Sequence, residues 1–473
     1  MTSVEAYHGA GALLRKFKGR IITANSADYG SARSVWNRDA DRYPLAIAQP
    51  SDVEDVIAAV RFARDADLPT SVRCGGHSYQ GHSTCDRGLV IDLSTAMGCV
   101  RLDQSCNLVR AEGGALLGAV DRATVPAGRV VPAGIVSHTG LGGLSLGGGI
   151  GYLSRSFGLT CDQFQRLQLV TAAGELVRVS ESENPDLFWA LRGGGGNFGI
   201  VTQFDLRTHP LGPVQAGPLI YSMDNAIDVL QAIEALMAEA PRELSLTIAL
   251  AIKPRAIGLG DAFPATARLL SVYIVYRGHA DEEIVTAVRT CRRPLFDLVK
   301  PSNFLTVQAR LDKVSQHGVA WYMKSGHSQT LNAGLIERMV VSSMEYQRIA
   351  SPEVEREVYS IQSLGGATSD LSEDATAYSG RKAQWHCAVE VGFKSQEERE
   401  RIVDWTKESW AKTQRFLDMR TSYVNMNFEE SARALESVYG TEKLARLQRI
   451  KAVYDPDNFF RLNTNILPSS HLG

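Results

Sequence analysis

Apolar residues recur at Val53, Val56, Ile57, Val60 and Ala63, the three-and-four spacing of a helix that buries one face. Ser51 is placed to cap its start, with Glu54 three residues on in the capping-box position. Apolar runs at 43–48 and 69–73 flank this helix, so the stretch predicts a β–α–β unit. A helix over 4–18 precedes it. Further strands are predicted at 88–93, 108–112 and 199–206, with a helix over 117–123 between the second and third. Runs at 167–171 and 175–179 read as a hairpin around Ala172-Ala173-Gly174. Residues 185–191 read as a helix with Pro185 in its first turn, broken at Gly193-Gly194-Gly195-Gly196.

The pattern changes at Pro210-Leu211-Gly212-Pro213. Glycine thins out and longer amphipathic helices alternate with strands. Helices are predicted at 227–239, 281–298, 331–348 and 396–415, and strands at 244–251, 269–276 and 385–391. The tail, 439–470, holds one more helix. The fold class is α+β, divided into 1–212, 213–425 and a closing segment, 426–473.

Composition narrows the function. The 473 residues are 44% hydrophobic and 22% charged, ordinary for a globular protein, and the formal net charge is −2. No long basic run occurs, so neither nucleic acid nor a membrane surface is an expected partner. No apolar run reaches the ~18 residues a membrane span needs. A basic-then-apolar leader is absent from 1–18, and the expected location is cytoplasmic. The seven cysteines form no CxxC pair, so free thiols and no metal site are expected.

Glycine is the unusual count, at 42, and it clusters in loops at 75–76, 140–151 and 193–199. The first loop follows a strand in Ser71-Val72-Arg73-Cys74-Gly75-Gly76-His77-Ser78, with one histidine at its tip. Glycines there let backbone amides approach an extended phosphate-bearing ligand. Gly149-Ile150-Gly151 lacks the third glycine of a Rossmann fingerprint, and no Walker loop occurs. Three loops wrapping one dinucleotide is the reading that remains.

These stretches resemble the FAD-linked oxidoreductases of the vanillyl-alcohol-oxidase superfamily, in the berberine-bridge-enzyme-like branch. The resemblance rests on 73–78, on Gly142-Gly143-Leu144-Ser145-Leu146-Gly147-Gly148-Gly149-Ile150-Gly151, on 184–195, on Asn197-Phe198-Gly199-Ile200-Val201 and on 454–460. It implies a two-subdomain PCMH-type FAD-binding domain at 1–212. An inserted substrate domain of antiparallel sheet covered by helices would follow, and the closing segment would return to the FAD domain.

The resemblance also implies the site. His77 would bond to the methyl carbon at flavin position 8, and Cys161, in Gly158-Leu159-Thr160-Cys161-Asp162, to ring carbon 6. Arg73, Cys74, Gly75, Gly76, Ser78, Thr139, Gly140, Gly142, Gly143, Gly148, Gly149, Gly151, Tyr152, Gly199, Val201, Asn463 and Asn465 would bind the cofactor, and His138 is a further neighbour of the ring. The acidic residue of plant members, six positions before Arg381, is Ala375 here. That leaves Tyr423, Asp374 and Tyr378 as candidate catalytic groups, with Glu373 beside them and Trp321, Tyr322 and Lys324 as candidate pocket lining. A tyrosine base would need a lowered pKa. Leu141 stands at the position that governs oxygen access. The expected activity is a bicovalent FAD oxidase that takes hydride from a C–OH or C–N carbon of a bulky small molecule and passes electrons to molecular oxygen. Carbohydrate oxidation at the anomeric carbon, or a dehydrogenase with another acceptor, are the alternatives. A monomer or weak homodimer is expected.

Overall fold

A computed structural model describes residues 17–264, 267–280, 282–349, 358–427 and 432–469. The predicted helix at 4–18 lies almost wholly outside them. Strands β1 (Arg20–Thr23), β2 (Ala46–Gln49), β3 (Thr70–Arg73) and β4 (Leu89–Asp92) form a sheet in the order β1-β2-β4-β3. β4 runs parallel to both β2 and β3 and is buried along its whole length, as its apolar run Leu89-Val90-Ile91 requires. Helix α1 (Val53–Asp65) makes the crossover from β2 to β3. Its N-cap is Asp52 rather than Ser51: the Asp52 carboxylate accepts from Asp55 N–H at 3.0 Å. Ser51 instead donates its hydroxyl to the Asp55 carboxylate at 2.9 Å, so Asp55, not Glu54, is the reciprocal partner.

A second, antiparallel sheet has the order β5-β6-β9-β7-β8. Its strands are β5 (Val100–Asp103), β6 (Leu108–Glu112), β7 (Phe164–Val170), β8 (Leu176–Val179) and β9 (Ile200–Arg207). Helix α2 (Leu117–Thr124) follows β6, the central glycine run opens as α3 (Leu141–Leu146), and α4 (Pro185–Leu191) ends where the glycines begin.

The third sheet is antiparallel and eight-stranded. Its long members are β10 (Val214–Ser222), β11 (Leu244–Ile252), β12 (Leu269–Arg277), β13 (Ala320–Ser328), β14 (Val358–Ser363) and β15 (Trp385–Phe393), in the order β10-β12-β11-β14-β15-β13. Helices α5 (Ala226–Met237), α6 (Ala333–Tyr346) and α7 (Gln396–Thr413) pack one apolar core against it. The helix predicted at 281–298 spans only Glu283–Thr290. Pro294 bars its continuation, and Phe296–Asp297 and Lys300–Pro301 pair with β10 instead.

The last helix, α8 (Ala432–Tyr454), kinks at Gly440, and the chain after it closes on the glycine loop at 193–199. Lys451 is fully buried and donates to Asp455 Oδ2 at 2.6 Å, to the Asn197 carbonyl at 2.7 Å and to the Phe460 carbonyl at 3.0 Å. The Asn197 amide donates to the Thr464 carbonyl at 3.1 Å, and its oxygen accepts from Ile466 N–H at 3.0 Å. The tail is thus part of the wall of what the glycine loops enclose. Among the described residues no helix is long and apolar enough to cross a membrane.

Candidate active site

The end of β3 delivers the first glycine loop against the second. A Cβ on Gly75 would lie 2.2 Å from Gly140 N, and one on Gly140 would lie 2.2 Å from Gly75 N, so only glycine permits this approach of two backbones. An open cavity of about 1800 Å³, counting its mouth, runs along the joined loops. Of the residues expected to bind cofactor, it is lined by Cys74, Gly75, Gly76, His77, Ser78, Thr139, Gly140, Gly142, Gly143, Gly199, Val201 and Asn463.

His77 is fixed on two sides. Its ring stacks on Trp36 with centroids 4.9 Å apart and planes 19° apart, and its Nε2 lies 2.6 Å from His138 Nδ1. Trp321 stacks in turn on Trp36 at 5.7 Å, so it supports the histidine from behind.

Other expected residues stand elsewhere. Arg73 is buried beneath the loop, where it donates to the Ser83 carbonyl at 3.3 Å and faces Asp92 at 3.8 Å. Tyr152 packs in a separate core and accepts from Arg310 Nε at 2.9 Å. A Cβ on Gly151 would lie 1.5 Å from the Ala133 carbonyl oxygen, so that glycine serves packing. Asn465 lines an adjoining pocket together with His82 and Asn463.

Cys161 is fully enclosed in the core and does not line the cavity. Gly148 and Gly149, both at positive φ, turn the chain so that Gly148 O accepts from Cys161 N–H at 2.9 Å. The glycine pair therefore serves this turn and does not line the cavity either. Burial pushes the Cys161 thiol up, with Asp162 adding to the effect, so the nucleophilic thiolate is disfavoured. Leu141 is likewise buried and absent from the lining.

Of the candidate catalytic groups, Tyr423 reaches the cavity. Its hydroxyl accepts from Gly149 N–H at 2.9 Å and from the Asn425 amide at 2.8 Å. Burial pushes its pKa up to about 12, opposite to the lowering a tyrosine base requires. Tyr378 sits behind it, its ring centroid 6.3 Å from that of Tyr423, and does not line the cavity. Asp374 is exposed and outside the cavity, and its carbonyl accepts from the Trp189 indole at 2.8 Å. Glu373 is tied to Lys443 at 3.0 Å and to the Gly380 and Arg381 amides. The pleat puts Tyr322 and Lys324 on the sheet face opposite Glu390, with Tyr322 in the helix-covered core.

The carboxylate that does line the cavity, alone among the acidic residues there, is Glu390 on β15. It is 4% exposed and accepts from the Tyr79 hydroxyl at 2.8 Å. Sequence reading passed over both. The signal available for Glu390 was a charged residue in the middle of a run otherwise fit for a fully buried strand.

Residues 44–180 match the family described as FAD binding domain, and residues 422–467 match the family described as berberine and berberine like. An FAD-linked oxidoreductase of Dictyostelium discoideum is 30% identical over 460 residues, spanning 95% of this chain and 95% of that protein. The chain belongs to the berberine-bridge-enzyme-like FAD-linked oxidoreductases. Its fold matches that of 6-hydroxy-D-nicotine oxidase from Arthrobacter nicotinovorans with a TM-score of 0.83 at 24% identity, covering 95% of this chain and 98% of that one. It matches glucooligosaccharide oxidase from Acremonium strictum, described with a 6-S-cysteinyl, 8α-N1-histidyl FAD, with a TM-score of 0.82 at 24% identity over 97% and 98% of the two chains.

The cavity of this FAD-linked oxidoreductase fits its cofactor. Ideal Cβ atoms on Gly143 and Gly196, both in the lining, meet nothing within 4 Å, so side chains there would fill the cradle. His82 Nε2, Gln362 Nε2 and Asn463 Oδ1 are buried at the cavity with no hydrogen-bond partner among the described residues. Such groups need polar partners, and a dinucleotide supplies them.

Proposed function

We propose that this chain is an FAD-dependent oxidase whose flavin is bonded covalently through His77, and that it oxidises a C–OH or C–N carbon of a bulky small molecule. The observation that carries the reading is the meeting, in the lining of one cavity, of a histidine-tipped glycine cradle and the Tyr79–Glu390 pair. FAD, when bound, supplies a two-electron acceptor that oxygen regenerates with release of hydrogen peroxide. Glu390 takes the proton from the substrate hydroxyl or amine, and the Tyr79 hydroxyl holds its carboxylate in place. Tyr423, tied to Gly149 and Asn425, serves as a fixed polar wall for the substrate. The buried Gln362 amide, on the strand paired with that of Glu390, favours an oxygen-rich substrate such as a sugar as the second reading.

The intact mass of the denatured protein tests the link, and a panel of alcohols, amines and sugars with peroxide detection tests the activity. Wild type should carry the mass of one FAD through denaturation and His77→Ala should not. A wild type without that mass sinks the proposed link.

A further inference from the structure

His77 and His138 come from different glycine loops, yet their rings meet nitrogen to nitrogen, Nε2 to Nδ1, at 2.6 Å. Trp36 fixes the plane of the His77 ring, and the contact with His138 orients its Nε2. Two imidazoles bond in this way only when one donates and the other accepts. Beyond them His317, exposed, stands with its ring centroid 5.8 Å from that of His138 and 5.9 Å from that of His77.

Three histidines with their nitrogens within 4.8 Å of one another also suggest a metal site. The 2.6 Å contact argues against it. Two nitrogens on one tetrahedral ion, each about 2.0–2.1 Å from it, stand about 3.3 Å apart. The spacing here is that of a hydrogen bond.

We propose that His138 is the base that readies His77 for its bond to the flavin. The proposal rests on the reading that His77 carries FAD. With His138 Nδ1 accepting the Nε2–H, His77 is held in the tautomer whose nucleophilic lone pair is on Nδ1. When Nδ1 bonds to the methyl carbon at ring position 8, the imidazole would become a cation. The Nε2 proton instead crosses to His138 and leaves through His317 to solvent. One methyl C–H bond and the His77 N–H bond break and one C–N bond forms. The two electrons and two protons released reduce molecular oxygen to hydrogen peroxide.

The test uses full-length protein from riboflavin-starved cells, to which FAD is added. Flavin fluorescence reads reversible binding, and the intact mass of denatured samples reads bond formation with time. His138→Ala should bind FAD yet gain its mass about a hundredfold more slowly than wild type, the scale of general-base assistance, and added imidazole should restore part of the rate. His138→Asn offers an acceptor oxygen where Nδ1 stood but takes no proton, and its rate should fall between; it carries the test alone if the alanine variant does not fold. A wild-type rate in either variant overturns the inference, as does a slow alanine variant that imidazole leaves unchanged. A wild type that never gains the mass overturns the reading of His77 instead.

Discussion

Tyr79 and Glu390 lie 311 residues apart in sequence and 2.8 Å apart in space, one two residues past His77 at the first glycine loop, the other in the middle of a strand of the eight-stranded sheet. Their bond joins the two faces of the cavity. Glu390→Gln keeps the shape and removes the base, so kcat should fall about a hundredfold with FAD content unchanged. Tyr79→Phe, which removes this one hydrogen bond, should lower kcat less. Stopped-flow reduction of the flavin by substrate measures both, and an unaltered reduction rate in Glu390→Gln would remove Glu390 from the mechanism.

Cys161 lies behind the Gly148–Gly149 turn, so Cys161→Ala should keep its covalent flavin in full. The check is the mass of denatured protein beside that of His77→Ala. Loss of the flavin from doubly substituted protein alone, with each single variant retaining it, would restore the second bond.

Arg381 and Asp162 form a buried two-pronged pair, with both N–H···O distances 2.7 Å, between the 366–381 segment and the turn that carries Cys161. Arg381→Met leaves an uncompensated buried carboxylate and should cost about 3–5 kcal/mol of stability. Urea unfolding of the two proteins measures this, and a loss below about 1 kcal/mol contradicts it.

His327 is fully buried, and burial lowers its pKa to about 4; His386, beside it, is pushed down in the same way. A histidine depressed in the folded state is held neutral there. Its contribution is complete above the unfolded pKa, about 6.5, and is lost as pH falls toward 4. Unfolding free energy should therefore drop by about 3 kcal/mol for His327 over that interval. His327→Gln should flatten the profile below pH 6.5, and calorimetry across pH 4–7 decides it.

What sequence reading recovered was local. Gly75 and Gly140 are required by the close approach of two backbones, and each sits in a short glycine motif, so the motifs announce the cradle. Glu390 and Tyr79 act as a pair that exists only after the sheet folds over the loop, and neither residue is unusual in its own segment. Nearness to a glycine run does not tell which side of the turn a side chain takes, and the Cys161 side chain lies in the core behind Gly148 and Gly149. Strand 320–328 escaped detection because it is buried along its whole length while carrying Lys324, Ser325, His327 and Ser328, which break the apolar run. Asp52 and Ser51 differ by one position: the Asp52 carboxylate takes the Asp55 N–H, while Ser51 donates to the Asp55 carboxylate.

The docking of residues 460–466 onto Asn197 bears on how the enzyme is made. Phe460, Leu462, Asn463 and Thr464 form part of the cavity wall. During synthesis the glycine loop at 75–76 and Glu390 leave the ribosome before residues 460–464, which supply part of the wall around them. The cavity that fits the cofactor is therefore complete only once those residues have emerged, so loading reports that the chain has been read past Thr464.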